Sequence, residues 1–245
     1  MEILARVCNK IELTVPQNVG GPEFLIRIFN DTEVMNPERI KAARYCKYLK
    51  NIPEKLYLWE HDEKAGLLLL PRGYAWRLMG LLHNIPYRFI DDRVQLQAVE
   101  FGSKIKLRDY QLPAVEAMIG TATQGILQAP AGSGKTQMGL EIIARIGQPA
   151  LWLTHTKDLA EQVLTRAAGV LDIPRGEIGM LGAGRNSVGR RLTIGIVQKM
   201  VRMDLSEIAG RFGTVIIDEV HHSPASTWAT VINQLPASWG RRPGE

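Results

Sequence analysis

Cysteine is nearly absent. Cys8 and Cys46 are the only thiols in 245 residues, too few for a disulfide framework and without the spacing of a zinc site. Both read as reduced packing residues of a cytoplasmic protein. No apolar run approaches the length of a membrane span, and Met1–Lys10 lacks the apolar core of a signal peptide. Internal repeats and low-complexity tracts are missing as well. Neither half concentrates charge of one sign: 15 basic face 13 acidic residues through Lys104, and 15 face 12 beyond it. The net charge of +5 is therefore compatible with a polyanionic partner without pointing to a region that would bind one. A hydrophobic content of 45% and 22% charged residues are ordinary for globular chains, and the length suits one large or two small domains.

What is present is organised around Gly125-Ile-Leu-Gln-Ala-Pro-Ala-Gly-Ser-Gly-Lys-Thr136. Gly125–Gln128 predicts a short strand, Ala129–Gly134 a turn, and the following residues an amphipathic helix burying Met138, Ile142, Ile143 and Ile146. Small residues in such a turn let backbone N–H groups approach a phosphate, and the helix start adds a positive dipole end. Pro130, Ala131, Gly132, Ser133 and Gly134 would form the cradle. Lys135 would reach the β- and γ-phosphates, and the Thr136 hydroxyl would ligate Mg²⁺. The spacing is that of a Walker A phosphate loop, with Ala129 where the first glycine is usual; only small size is needed there.

From Ile105 onward, short apolar strands alternate with helical patterns, which implies a parallel sheet with crossover helices. The strands are Ala150–Leu153, Leu192–Val197 and Thr214–Ile217, and a helix from Lys157 to Ala168 buries Leu159, Val163 and Leu164. Thr214–Ile217 is a continuous apolar run of the kind found in buried parallel strands, and it ends in Asp218-Glu219. Carboxylates at the carboxyl end of such a strand lie where these sheets bind ligands. In this Walker B position Asp218 would hold Mg²⁺, and Glu219 would orient and polarise an attacking water. His221 and His222 follow; no further Cys or His lies at zinc spacing, and a role for His221 in linking the nucleotide site to another surface fits the neighbouring carboxylates.

Met1 to about Lys104 reads as a small α+β unit. Phe24–Phe29 is a β-rich run between turn signals. Asn36-Pro37 starts a helix to about Leu49 that would bury Ile40, Ala43 and Cys46. Lys55–Glu60 and Leu67–Leu70 read as strands joined by a turn at His61–Gly66. Tyr74–His83 is a helix with Trp76, Met79 and Leu82 inward, and Tyr87–Ile90 a last strand. The basic face Arg39, Lys41, Arg44, Lys47 and Lys50, interleaved with Tyr45 and Tyr48, reads as a solvated helix face, with contact to a nucleic-acid backbone as the alternative.

These residues resemble superfamily 2 helicases and translocases. Asp218-Glu219-Val220-His221 looks like the DExH box, and Ala129–Thr136 like motif I. Leu107-Arg-Asp-Tyr-Gln111 is similar to the signature preceding motif I in the XPB-like and phage-type members. The resemblance implies that Gln111 reads the adenine edge with Arg108 beside it, and that Lys135, Glu219 and His221 belong to the catalytic set. Leu153–Gln162 resembles motif Ia, which implies nucleic-acid contacts by Thr154, Thr156 and Lys157. Gly182-Ala-Gly184 resembles motif Ib, implying Gly184. Thr193–Gln198 resembles motif Ic, implying Gln198, with Ile196 where many members have Thr. Leu70–Gly73 and the Asn36–Pro37 helix resemble the accessory N-terminal domain of these proteins, which helps engage DNA.

The expected architecture is thus α/β: an accessory α+β domain over residues 1–104, then a RecA-like ATP-binding domain over 105–245. The expected function is the ATP-binding half of an ATP-dependent helicase, with ATP and Mg²⁺ as cofactors and single-stranded or branched DNA, more than RNA, as partner. A phosphate-loop ATPase not acting on nucleic acid, or a silent binding fragment, is the alternative. Gly240–Glu245 follows Leu235–Trp239 where motif III is expected. The resemblance therefore implies a chain truncated after its first RecA-like domain, without the second domain that carries the arginine finger.

Overall fold

The computed structural model describes residues 2–8, 10–16, 19–45, 52–92, 96–120, 125–219 and 225–235. The chain divides into two compact units, Met1–Asp92 and Arg93–Glu245.

In chain order the first unit contains β1 (Ile3–Val7), β2 (Lys10–Thr14), α1 (Gly21–Thr32), β3 (Glu33–Met35), α2 (Pro37–Arg44), β4 (Lys55–Tyr57), β5 (Glu60–Asp62), β6 (Leu67–Pro71), α3 (Ala75–Leu81) and β7 (Tyr87–Asp91). Five strands form one sheet in the order β5-β6-β2-β1-β7, with β7 parallel to β1 and the other pairs antiparallel. β3 and β4 pair separately. Alternate residues Ile3, Ala5 and Val7 of β1 and Ile11 and Leu13 of β2 are buried, in one core with Phe24 and Ile28 of α1 and Leu78 of α3.

The run Phe24–Phe29 is a helix, contrary to its β-rich composition. Gly20 takes a left-handed φ of 83° and Pro22 lies in the first turn of α1. Phe24, Ile28 and Thr32, four apart, then share the buried face. Burial at helical spacing overrides the β preference of the individual residues. Asn36 caps α2 as expected, its Oδ1 accepting from Glu38 N at 2.9 Å. The buried residue of α2 is Ala42, whereas Ile40 and Ala43 are exposed; Cys46 lies outside the described residues. In α3 the inward residues are Leu78 and, just beyond, Leu82, while Trp76 and Met79 face solvent. The expected strand over residues 55–60 is split between β4, which pairs with β3, and β5, which begins at Glu60 and takes in His61 and Asp62.

The second unit contains α4 (Gln111–Gly120), α5 (Lys135–Ile146), β8 (Ala150–Thr154), α6 (Lys157–Val170), β9 (Gly179–Gly182), β10 (Arg185–Ser187), β11 (Leu192–Ile196), α7 (Val197–Met200), β12 (Thr214–Ile217) and α8 (Ala225–Ile232). The sheet order is β10-β9-β11-β8-β12; β9, β11, β8 and β12 run parallel and β10 is antiparallel. Helix α5 buries Met138, Ile142, Ile143 and Ile146, and α6 buries Val163 and Leu164, as expected from their spacing. The segment before α4 belongs to this unit: Val99 N donates to Gly147 O, Lys104 N to Val170 O, and Ser103 Oγ to the buried Glu141 at 2.6 Å.

Two strand expectations change. Residues 125–128 pair with no strand among the described residues, and Ile126 is 91% exposed. Leu127 and Ala129 pack instead in a small cluster with Val115, Met118, Met138 and Ile142 of the flanking helices, so the apolar side chains of this run find helical neighbours. β12 is parallel as expected, but it lies at the sheet edge and only Thr214 is fully buried in it.

Candidate functional site

Four parallel strands deliver their carboxyl ends to one edge. Ile196 lies opposite Thr154, and Ile217 opposite Leu153. Gly195 lies opposite Leu181, which sets Gly182 beside Ile196; a Cβ on Gly182 would come within 3.1 Å of the Ile196 side chain. The segments leaving this edge are those of Asp218 and Glu219, Thr156 and Lys157, Gln198, and the turn through Gly184. Residues distant in sequence are thereby aligned by register alone.

The phosphate loop bends through Gly132 and Gly134, at φ 78° and 84°. No side chain caps the start of α5, so its first N–H groups are left for a ligand or water. Lys135 Nζ donates to Ala129 O at 3.1 Å and stands 3.6 Å from Glu219 Oε1. That ion pair joins the loop to the end of β12. Ser133 Oγ is buried without a partner. Such a hydroxyl costs roughly 1–3 kcal/mol, a deficit that a phosphate oxygen beside it would remove. Thr136 lies half-buried at the second position of α5, and Pro130 and Ala131 form the exposed lip. The residues present thus fit a nucleotide phosphate.

Asp218 N donates to Leu153 O at 2.9 Å, which continues the β12–β8 ladder to the carboxylate. Burial, and then the neighbouring charge of Glu219, hold the Asp218 carboxyl above the usual carboxylate range; Lys135 opposes them, as does the Trp152 indole, whose N–H makes no hydrogen bond of ordinary geometry. Placing a divalent cation at Asp218 would relieve both causes. Among the described residues, no group of three or more His, Cys, Asp or Glu could hold a metal alone. Thr136 and Asp218 suit Mg²⁺, which takes few protein ligands and keeps substrate phosphates and waters as the rest. Glu219 has a positive φ of 50°, an uncommon conformation for a residue with a Cβ, at the point where a water-orienting carboxylate is expected.

The signature residues lie against the same loop. Gln111 is buried; its Oε1 accepts from Arg108 N at 2.9 Å and its Nε2 donates to Ser133 O at 2.7 Å. Tyr110, absent from the sequence-derived site, donates from Oη to the same Ser133 O at 3.1 Å and accepts from Arg108 Nη1 at 3.0 Å. Its only sequence signal was its place between Arg108 and Gln111.

Among the expected nucleic-acid contacts, Thr154 is fully buried and donates from its hydroxyl to Thr156 O at 3.1 Å, so it shapes the loop from inside. Thr156 is exposed and caps α6 through Leu159 N. Lys157, Gln198 and Gly184 are exposed, Gly184 in a turn where three successive residues have positive φ. His221 lies outside the described residues.

Residues 104–239 match the family model described as "Type III restriction enzyme, res subunit". The chain is 35% identical over 158 residues to the "DNA 3'-5' translocase XPB2" of Sulfurisphaera tokodaii, a match covering 64% of this chain and 32% of that protein. It is 27% identical to the "Putative ATP-dependent RNA helicase L396" of Acanthamoeba polyphaga mimivirus, over 92% of this chain and 42% of that one. It thus spans between about a third and two fifths of the length of these curated relatives. The fold is similar to that of the UvsW helicase from bacteriophage T4, with a TM-score of 0.66 at 16% identity, over 96% of this chain and 89% of that chain.

Proposed function

We propose a function from one premise: the chain belongs to the type III restriction enzyme res-subunit family, as the first RecA-like unit of a superfamily 2 helicase. The protein binds ATP with Mg²⁺ and couples the nucleotide to a nucleic acid, DNA rather than RNA. The whole protein acts as an ATP-dependent DNA helicase or translocase in the cytoplasm. The observation that carries this reading is the juxtaposition of Lys135 with Glu219 at 3.6 Å beside a phosphate loop whose Ser133 hydroxyl is buried and unpartnered.

Each residue then has a task. The loop N–H groups and Lys135 bind the β- and γ-phosphates, and Gln111 presents its remaining N–H and lone pair to the adenine edge with Arg108 beside it. Thr136 and Asp218 hold Mg²⁺, which when bound offsets the negative charge of the phosphates. Glu219 orients the attacking water. His221 follows the carboxylates and couples the nucleotide to the nucleic-acid surface. Thr156, Lys157, Gly184 and Gln198 track the backbone along the strand ends. The first unit, Met1–Asp92, forms the accessory domain, with Lys41 and Arg44 of α2 as further phosphate contacts. A second RecA-like domain supplies the cleft's other wall and an arginine, a contribution worth ~10³–10⁵ in turnover in related phosphate-loop enzymes.

ATP hydrolysis with and without single-stranded DNA, over a range of salt, tests the reading. Stimulation by DNA is expected, with log affinity falling by about 0.7 per phosphate contact per decade of salt. Hydrolysis indifferent to DNA would support a phosphate-loop ATPase with another target, and binding of both ligands without turnover a silent module.

A further inference from the structure

Two side chains of the Leu107–Gln111 signature converge on one backbone oxygen. Gln111 Nε2 and Tyr110 Oη both donate to Ser133 O, at 2.7 and 3.1 Å. Arg108 Nη1 donates to Tyr110 Oη, which leaves the phenolic proton directed at Ser133 O. The Ser133–Gly134 peptide is trans, so its N–H points opposite to its carbonyl. Fixing the carbonyl on the signature therefore turns the Gly134 N–H away from it, at the first position before α5. A Cβ on Gly134 would lie 2.5 Å from Gln111 Nε2, so the signature sits against the loop with no room for a side chain between.

Resting on the nucleotide reading above, we propose that Tyr110 is a positioning residue of the phosphate loop. With Gln111 it holds the Ser133 carbonyl so that the Gly134 N–H faces the phosphate, and it thereby sets affinity for a triphosphate whatever base that triphosphate carries. Gln111 accordingly has two tasks, one on the loop and one on the base, whereas Tyr110 has only the first. Tyr110 is 54% exposed and lies outside the buried core, so removing its hydroxyl leaves the fold intact.

Equilibrium titrations of the 245-residue chain and of Tyr110→Phe with ATP, GTP and inorganic tripolyphosphate, each with Mg²⁺, test this, with thermal melting of the ligand-free proteins as the fold control. The expected result is equal melting and a loss by the same factor for all three ligands, about three- to tenfold, the span of one neutral hydrogen bond. Unchanged affinities would overturn the proposal. So would a loss confined to ATP, which would make Tyr110 a base-reading residue. Wild-type protein that binds none of the three overturns the nucleotide reading itself, and this inference with it.

Discussion

The two units place their polar side chains by different rules. In the second, β8 and β11 are buried at every residue, and the polar groups of interest stand beyond the strand ends, where register brings Thr156, Gln198, Gly184 and Asp218 to one edge. In the first, β1 and β2 alternate, and the outward face carries cross-strand ion pairs such as Arg6–Glu12 and Lys10–Glu60. A sheet covered on both faces has only its ends free for chemistry; a sheet covered on one face spends its polar positions on pairing with itself. The nucleotide chemistry therefore belongs to the second unit, while the side-chain pairs of the first hold its strands and helices together.

Core substitutions should separate the two units by the widest margin. Leu70 lies in the core of the first unit and Leu140 in that of the second. Replacing either with Ala should cost about 2–5 kcal/mol in a denaturant titration. Only Leu140→Ala should also lower nucleotide affinity, because Leu140 belongs to the helix that begins at the phosphate loop. A loss of affinity in folded Leu70→Ala would mean that the site is not confined as described.

A smaller effect is expected at Asp31, which accepts from Tyr74 Oη at 2.8 Å and from Arg77 Nε at 2.7 Å. The Arg77 hydrogen bond first, and then that of Tyr74, hold the Asp31 carboxyl below the usual carboxylate range; burial, and then Asp31 itself, push the Tyr74 hydroxyl well above the usual tyrosine range. Because the folded value of Asp31 is lowered, its stabilisation is complete above the unfolded value, about pH 4, and fades as pH falls through the folded value. Asp31→Asn should cost roughly 1 kcal/mol at neutral pH, Arg77 being largely exposed. The difference from wild type should vanish at acid pH; a constant difference down to pH 2 would remove the carboxylate from the explanation.

Lys10→Ala should do least. Its partner Glu60 is mostly exposed, so removal should change stability by less than about 1 kcal/mol. A larger loss would make the open face of the first sheet a structural centre rather than a paired surface.

The sequence was most legible where burial is uniform or helical spacing is long. β8, β11 and the inward face of α5 follow from their apolar patterns. Legibility fell where a short run met competing neighbours. Phe24–Phe29 reads as strand until Pro22 and the four-residue spacing of Phe24, Ile28 and Thr32 are given more weight than β propensity. Of the three residues expected inward around α3, Leu82 is buried, whereas Trp76 and Met79 face solvent and Leu78 fills the core beside Tyr74. The places of Lys135 and Thr136 at the start of α5 and of Asp218 just after β12 follow from local patterns, a glycine-rich turn before a helix and an apolar run before carboxylates. The hydrogen bond of Tyr110 does not follow from local pattern, because its acceptor is an oxygen 23 residues away.

A nucleotide site centred on Lys135 in the second unit would make affinity depend on that one side-chain charge. Titrating a fluorescent ATP analogue with Mg²⁺ into the wild-type chain, Lys135→Ala and Asp31→Asn tests it most directly. Lys135→Ala is expected to weaken binding by about 1.5–3 kcal/mol, roughly ten- to a hundredfold, while Asp31→Asn at neutral pH binds as wild type does. Equal affinity for wild type and Lys135→Ala would contradict it.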